Sequence, residues 1–394
     1  MTIAKPIWLP EFQSNWDLIP LKRLCTIETG TADTQDADPD GSYDFVIRSP
    51  RLKQASTYTF DCEAIVTAGD GAVGEVFHYM NGPFLAHQRT YVLHSFQGID
   101  ARYLFYFFSS HFRFMCQDGS AKTTVDSVRR WMLTDMPILV PPENLQKRIA
   151  QFLDTETAKI DHLIAKQREL ITLTESRLEL WRERTFWGEV QTEDPFLNPP
   201  TGWKVLRNRH LLEHVDARSE TGDEEMLSVS HITGVTPRSM KNVNMFEAES
   251  TVGYKLVAEN ELVINTMWAW MGALGVSAYE GIVSPAYNVY RFRDLDAVNP
   301  MYFDCMYRTD AYVSLMKAHS RGIWESRLRL YPEVFLRLSS LVPPKDVQDR
   351  LVAENNERTT EAEKLITRCH KAIELLQERR SALITAAVTG QIEV

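Results

Sequence analysis

Residues 139–150 read LVPPENLQKRIA and residues 341–352 read LVPPKDVQDRLV, so one phrase occurs twice, 341 − 139 = 202 positions apart. Each copy has an apolar pair, two prolines, an acidic residue, and then Gln and Arg at matching places. A proline pair ends a strand and suits the opening of a helix, where Glu143 or Asp346 meets the positive end of the macrodipole. From Asn144 to Trp187 there is no Pro or Gly. Ile164, Ile171 and Leu178 form one row of sevens, and Ile160, Gln167, Thr174 and Trp181 form a second. In the other copy Ile366 and Ile373 make one row, while Cys369, Leu376 and Leu383 make the other. Two interleaved rows at this period are a coiled-coil seam. At 1.5 Å per residue each helix would run on the order of 60 Å. A helix this long cannot bury its seam alone. Antiparallel pairing of the two, with a globular part at each end, is the expected solution, and homo-oligomerisation through the same seams is the alternative.

The duplication extends well beyond the phrase, and an internal repeat governs the whole fold. NWDLIPLKRLCTI (15–27) matches GWKVLRNRHLLEHV (202–215), and CEAIVTAGDGAVGEVFHY (62–79) matches NELVINTMWAWMGALGVSAY (260–279). GPFLAHQRTYVL (82–93) matches GIVSPAYNVYRF (281–292), aligning Gly82 with Gly281 and Tyr91 with Tyr290. An aromatic helix, YLFYFFSSHFRFM (103–115), is answered by YFDCMYRTDAYVSLM (302–316), and Gly188 and Gly390 are again 390 − 188 = 202 apart. Between the helices, β-branched and aromatic runs alternate with Gly, Pro and Asn turns, the signal of short strands and loops. The expected class is α+β. Two mixed α/β domains (1–138 and 193–340) alternate with two long helical regions (139–192 and 341–394), as a pseudo-twofold internal repeat with the helices paired as an antiparallel coiled coil.

With 394 residues the chain needs more than one core. Five scattered cysteines without CxxC spacing argue against a disulfide framework or a zinc site. There is no run of about 18 apolar residues and no basic-then-apolar leader in MTIAKPIWLPEF, so a cytoplasmic protein with no membrane role is expected. The formal net charge of −10 opposes a stand-alone DNA binder, since phosphate contacts demand Lys and Arg. Much of the acid is local, in DTQDADPD (33–40) and SETGDEE (219–225). A DNA binder that shares the duplex with partner subunits fits this balance.

Motifs of catalysis fail on context. Gly69 to Gly74 spell GxGxxG, but EVFHYMNGPF follows where a dinucleotide site needs a helix, so a strand–turn–strand is expected. Asn198-Pro199-Pro200 is followed by Thr201, not by an aromatic ring that could stack on a flipped base, and reads as linker. There is no P-loop, HExxH or GxSxG. His87, His231 and His319 lie in polar, turn-like settings. Two similar modules held apart by helices, with no catalytic centre, suggest a device that reads two marks on a regular object such as DNA.

Across nearly its whole length the chain resembles the specificity (S) subunits of type I restriction–modification enzymes. The resemblance rests on LVPPENLQKRIAQFLDTETAKIDHLIAKQRELI, on LVPPKDVQDRLV, and on KLITRCHKAIELLQERRSALITAAVTGQIEV. Leu145 and Val347 stand where the family usually has Glu before the Gln. The resemblance implies two target-recognition domains, each reading half of a bipartite, asymmetric DNA site. It implies conserved helices that dock two methyltransferase (M) subunits, with restriction (R) subunits joining. It also implies a non-catalytic chain, with S-adenosylmethionine, ATP and Mg on the partners.

Base-reading candidates follow from side-chain chemistry, because Arg suits guanine and Asn or Gln suits adenine. In the first domain they are Arg48, Arg51, Lys53, His87, Gln88, Arg89, Lys122 and Thr123. In the second they are His231, Arg238, Lys241, Trp268, Trp270, Asn288, Arg321, Trp324 and Arg327. Candidate seam and docking residues are Ile160, Ile164, Ile171, Leu178, Trp181, Ile366, Ile373, Leu376 and Leu383. A stand-alone DNA methyltransferase and a coiled-coil scaffold without a DNA role are the alternatives.

Overall fold

The computed structural model describes residues 5–13, 15–117, 127–187, 195–240, 250–324 and 327–394. The chain divides into two compact units, one of Met1–Arg168 with His370–Val394 and the other of Glu169–Cys369.

The first unit carries strands β1 (Asp17–Pro20), β2 (Thr26–Thr29), β3 (Tyr43–Val46), β4 (Lys53–Ala55), β5 (Phe60–Ala68), β6 (Phe77–Ala86), β7 (Thr90–His94) and β8 (Pro137–Val140). Its helices are α1 (Ala101–Gln117), α2 (Arg130–Thr134) and the first part of α3 (Glu143–Phe186). Six strands form one sheet in the order β2-β7-β5-β6-β3-β4, antiparallel except for β3 on β6. β1 and β8 pair separately. The central strand β5 is buried on both faces along Ala64–Ala68. Alternation then sorts its side chains: Ile65 joins Leu93 and the α1 residues Phe107, Phe108 and Phe112 in the main core, while Ala64 and Val66 join Val92, Phe84 and Val46 on the other face. Gly69 to Gly74 form the turn between β5 and β6, the strand–turn–strand that the missing helix implied.

The second unit carries β9 (Lys204–Arg207), α4 (Asn208–Leu211), β10 (Leu212–Val215), β11 (Leu227–Ser230), β12 (Gly234–Pro237), β13 (Lys255–Val257), β14 (Leu262–Asn265), β15 (Leu274–Val276), β16 (Gly281–Val283) and β17 (Tyr287–Phe292). It continues with α5 (Pro300–Tyr307), α6 (Asp310–His319), α7 (Pro332–Phe335), β18 (Ser339–Val342) and the first part of α8 (Lys345–Val388). Its main sheet runs β10-β17-β14-β15, repeating the β2-β7-β5-β6 order of the first unit, and β9 pairs β18 as β1 pairs β8. One expectation is corrected. The second aromatic helix is two helices, because Thr309 Oγ1 accepts from the Tyr312 amide at 3.3 Å and starts α6 anew. The Glu183 carboxylate also accepts from the Asp310 and Ala311 amides there.

The duplicated phrase forms the same joint in each unit. Gln146 is buried; its Oε1 accepts from the Asp100 amide at 2.6 Å, and its Nε2 donates to the Pro141 carbonyl at 2.8 Å. Gln348 does the same with the Asn299 amide at 2.7 Å and the Pro343 carbonyl at 2.8 Å. Tyr103 donates to the Leu139 carbonyl and Tyr302 to the Leu341 carbonyl, at 2.8 and 3.2 Å. Each glutamine thus ties the start of an aromatic helix to the proline turn that opens a long one. Leu145 packs against the core of the first unit.

The long helices keep to their heptads. Ile160, Ile164 and Cys369 are buried, and Ile171, Leu178, Trp181, Ile366, Ile373, Leu376 and Leu383 are half-buried. In the first unit the helices run antiparallel, since Arg148 reaches the Val394 carbonyl while Asp161 accepts from Arg380 at 2.9 Å. In the second unit Arg182 donates to Asn355 and Thr359, both at 2.8 Å, and Arg358 lies 4.7 Å from the centre of the Trp181 ring. Among the described residues no helix is long and apolar enough to cross a membrane.

Candidate nucleic-acid interface

In the first unit backbone hydrogen bonds hold the β6–β7 loop to the β5–β6 loop, to the end of β3 and to the segment between β2 and β3. The Gly69 amide donates to the Arg89 carbonyl at 2.8 Å, the His87 amide to Val46 at 3.0 Å, and the Gln88 amide to Ala32 at 2.8 Å. His87 is buried, and its Nδ1 accepts from the Arg89 amide at 3.0 Å, leaving Nε2 as the donor toward Thr34 at 3.4 Å. Burial, with the Arg48 and Arg89 charges nearby, holds its pKa below the ordinary imidazole value. This histidine shapes the turn and does not offer an edge to a ligand.

The residues around it do face outward. Arg48, Arg51, Lys53, Gln88 and Arg89 are all exposed. Asp70, which nothing in the sequence had marked, accepts from Arg48 and, at 3.2 Å, from Arg89. Its signal in the sequence is a lone carboxylate inside the glycine turn 69–74. Lys122 and Thr123 lie outside the described residues.

In the second unit the β11–β12 turn exposes His231, and Arg308 holds that turn by donating to the His231 and Ile232 carbonyls at 3.1 and 2.7 Å. Arg238 is half-buried just after β12. Lys241 lies outside the described residues. Trp268 is half exposed and stacks on Trp270, with the ring planes 14° apart and the centroids 6.2 Å apart. Trp270 in turn donates to the Met267 carbonyl at 3.0 Å, and Lys317 lies over its ring.

Arg321 and Arg329 exchange backbone hydrogen bonds, both 2.9 Å, at the base of a hairpin that exposes Trp324 (68%) and Ile323 (95%). Arg321 and Arg327 are exposed on the same hairpin. The Leu330 amide ties the hairpin base to the Thr266 carbonyl at 3.2 Å, two residues before Trp268.

Asn288 behaves differently. It is buried on β17, its Nδ2 donates to Thr266 at 2.9 Å, and its Oδ1 accepts from the buried Lys255 at 3.4 Å. Its amide is spent on these internal partners.

Residues 13–173 match the family model described as the type I restriction modification DNA specificity domain. That stretch is similar to the type I specificity domain over less than half of the chain. A stretch of 156 residues is 28% identical to the EcoDI type I restriction enzyme specificity subunit of Escherichia coli, covering 40% of this chain. That alignment spans about a third (34%) of the relative's length. Two solved structures carry the same fold. One is a chain from work on complex assembly and conformational transition of the type I R-M system, with a TM-score of 0.70 and 14% identity, covering 98% of this chain and 100% of that one. The other is the HsdS subunit of Thermoanaerobacter tengcongensis, with a TM-score of 0.53 and 14% identity, covering 98% and 99%. The fold of these two structures therefore extends over both units, whereas the family-model match ends at residue 173, within α3. Among the described residues there is no group of His, Cys, Asp and Glu that could hold a metal ion.

Proposed function

We propose that this chain is the sequence-reading subunit of a type I restriction–modification complex, acting on double-stranded DNA. Each unit reads one half of a bipartite, asymmetric site, and α3 and α8 set the spacing between the halves. The chain itself catalyses nothing. It directs methylation and cleavage by two methyltransferase subunits and by restriction subunits, which supply the sites for S-adenosylmethionine, ATP and Mg in a cytoplasmic complex.

The observation that carries this reading is the duplication itself. The same strand order, the same proline turn and the same buried glutamine recur around loops whose exposed residues differ, with Arg48 and Arg89 in one unit and Trp268, Arg321 and Trp324 in the other. A shared scaffold with unlike loops suits two half-sites of unlike sequence. The buried seam residues of α3 and α8 hold the helices, so docking of methyltransferase subunits falls to outward residues such as Leu170, Leu173 and Leu180. The acidic balance fits a chain whose partners make many of the phosphate contacts.

The test is DNA binding by the full chain assembled with its methyltransferase subunit, compared across duplexes of different sequence. Preference for one bipartite sequence is expected. Equal binding to all duplexes would favour the scaffold reading, and S-adenosylmethionine binding by the chain alone would favour a stand-alone methyltransferase.

A further inference from the structure

Arg48, Asp70 and Arg89 come from three different loops of the first unit and meet at one carboxylate. Asp70 Oδ1 accepts from Nη1 of Arg48, and Oδ2 accepts from Nη1 of Arg89 at 3.2 Å. The acid lies beneath and the cations outside, with side-chain exposures of 18% for Asp70 against 38% for Arg48 and 58% for Arg89. The backbone under the cluster is fixed on each side. Asp70 bridges Ser127, the Val128 amide donates to the Gly69 carbonyl at 2.8 Å, and the His87 ring holds the Arg89 amide.

We propose that Asp70 is a positioning residue for base readout, holding Arg48 and Arg89 as two fixed forks that meet guanines in the half-site of the first unit. The proposal rests on the reading of that unit as a recognition domain. Each arginine spends one Nη1 hydrogen on Asp70, which leaves its Nε–Nη2 edge as a pair of parallel donors. That edge matches O6 and N7 of guanine in the major groove. The shared carboxylate also cuts the cluster's charge from two to one, which weakens its pull on any phosphate and leaves directional hydrogen bonds as its main asset. A guanidinium anchored through a carboxylate keeps its plane, whereas a free arginine must be ordered when DNA arrives.

The test uses the full chain assembled with its methyltransferase subunit and measures base preference position by position over a library of target variants. Asp70→Asn is expected to lower discrimination roughly 10-fold at one or two G·C pairs in one half-site, leaving the other half and the melting temperature unchanged. Asp70→Glu should recover part of that preference. Arg48→Lys and Arg89→Lys keep the charge, the salt bridge and the fold but lose the fork, and they should relax the same positions. The proposal is overturned if Asp70→Asn leaves these preferences intact while the lysine variants relax them. It is equally overturned if Asp70→Asn weakens every sequence alike with a changed salt dependence, which marks a phosphate contact. Should Asp70→Asn fail to fold, the lysine variants decide, and unchanged guanine preference in both would refute it. Failure of the underlying reading looks different: exchanging residues 1–138 would then alter neither half of the target.

Discussion

His111 lies in the buried face of α1, its ring stacked on Phe107 with centroids 4.6 Å apart and its Nδ1 3.1 Å from the Phe107 carbonyl. Burial pushes its pKa down to about 4, with Arg113 adding to the effect and the carbonyl partly opposing it. The native state therefore holds this imidazole neutral at pH values where the unfolded chain, titrating near 6.5, already binds a proton. Its contribution to stability is present above pH 6.5 and is lost as pH falls toward 4, by about 2–3 kcal/mol at pH 4.5. Denaturant titrations between pH 7 and 4.5 should show a flatter pH slope in His111→Gln than in the native chain. Parallel slopes would mean that the ring is protonated in the fold. The polar candidates divide at this same scale. The exposure of Arg48 and Arg51 was legible, because a charged side chain in a Pro-interrupted loop stays solvated. The burial of His87 and Asn288 was not, because a short polar side chain can satisfy itself inside, and only coordinates reveal the partners that do so.

The proline joint is the element that makes each unit coherent. Gln146 satisfies the Asp100 amide at the start of α1 and the Pro141 carbonyl before α3, so an apolar replacement leaves both unpaired and buried. Gln146→Leu should cost the first unit about 2–6 kcal/mol, given roughly one to three for each of the two lost buried partners. Hydrogen exchange is the direct measurement. Amides in α1 and the surrounding sheet should lose protection, while the second unit, tied by its own Gln348, keeps its protection. Unchanged exchange in α1 would show that the clasp is dispensable. The long helices were readable almost to the residue, since a stretch free of Pro and Gly with two heptad rows leaves few other structures open. The break between α5 and α6 was hidden, because Thr309 reads equally well as an interior residue of a half-polar helix. Only its contact with the Tyr312 amide reveals it as a cap.

For the molecule as a whole, duplication was the most informative property of the sequence. The main sheet of the second unit repeats the β2-β7-β5-β6 order of the first, because one topology buries one hydrophobic pattern. What duplication cannot give is the target sequence, since the loops that differ between the copies carry no periodicity and obey no packing rule. The central claim is that each unit reads its own half of a bipartite site, and it can be tested in living cells. Methylome sequencing would be carried out on cells expressing this chain with its methyltransferase subunit, before and after residues 1–138 are replaced by the matching region of another specificity subunit. The expected result is a bipartite motif in which one half changes and the other half is retained. An unchanged motif, or one altered in both halves, would contradict it.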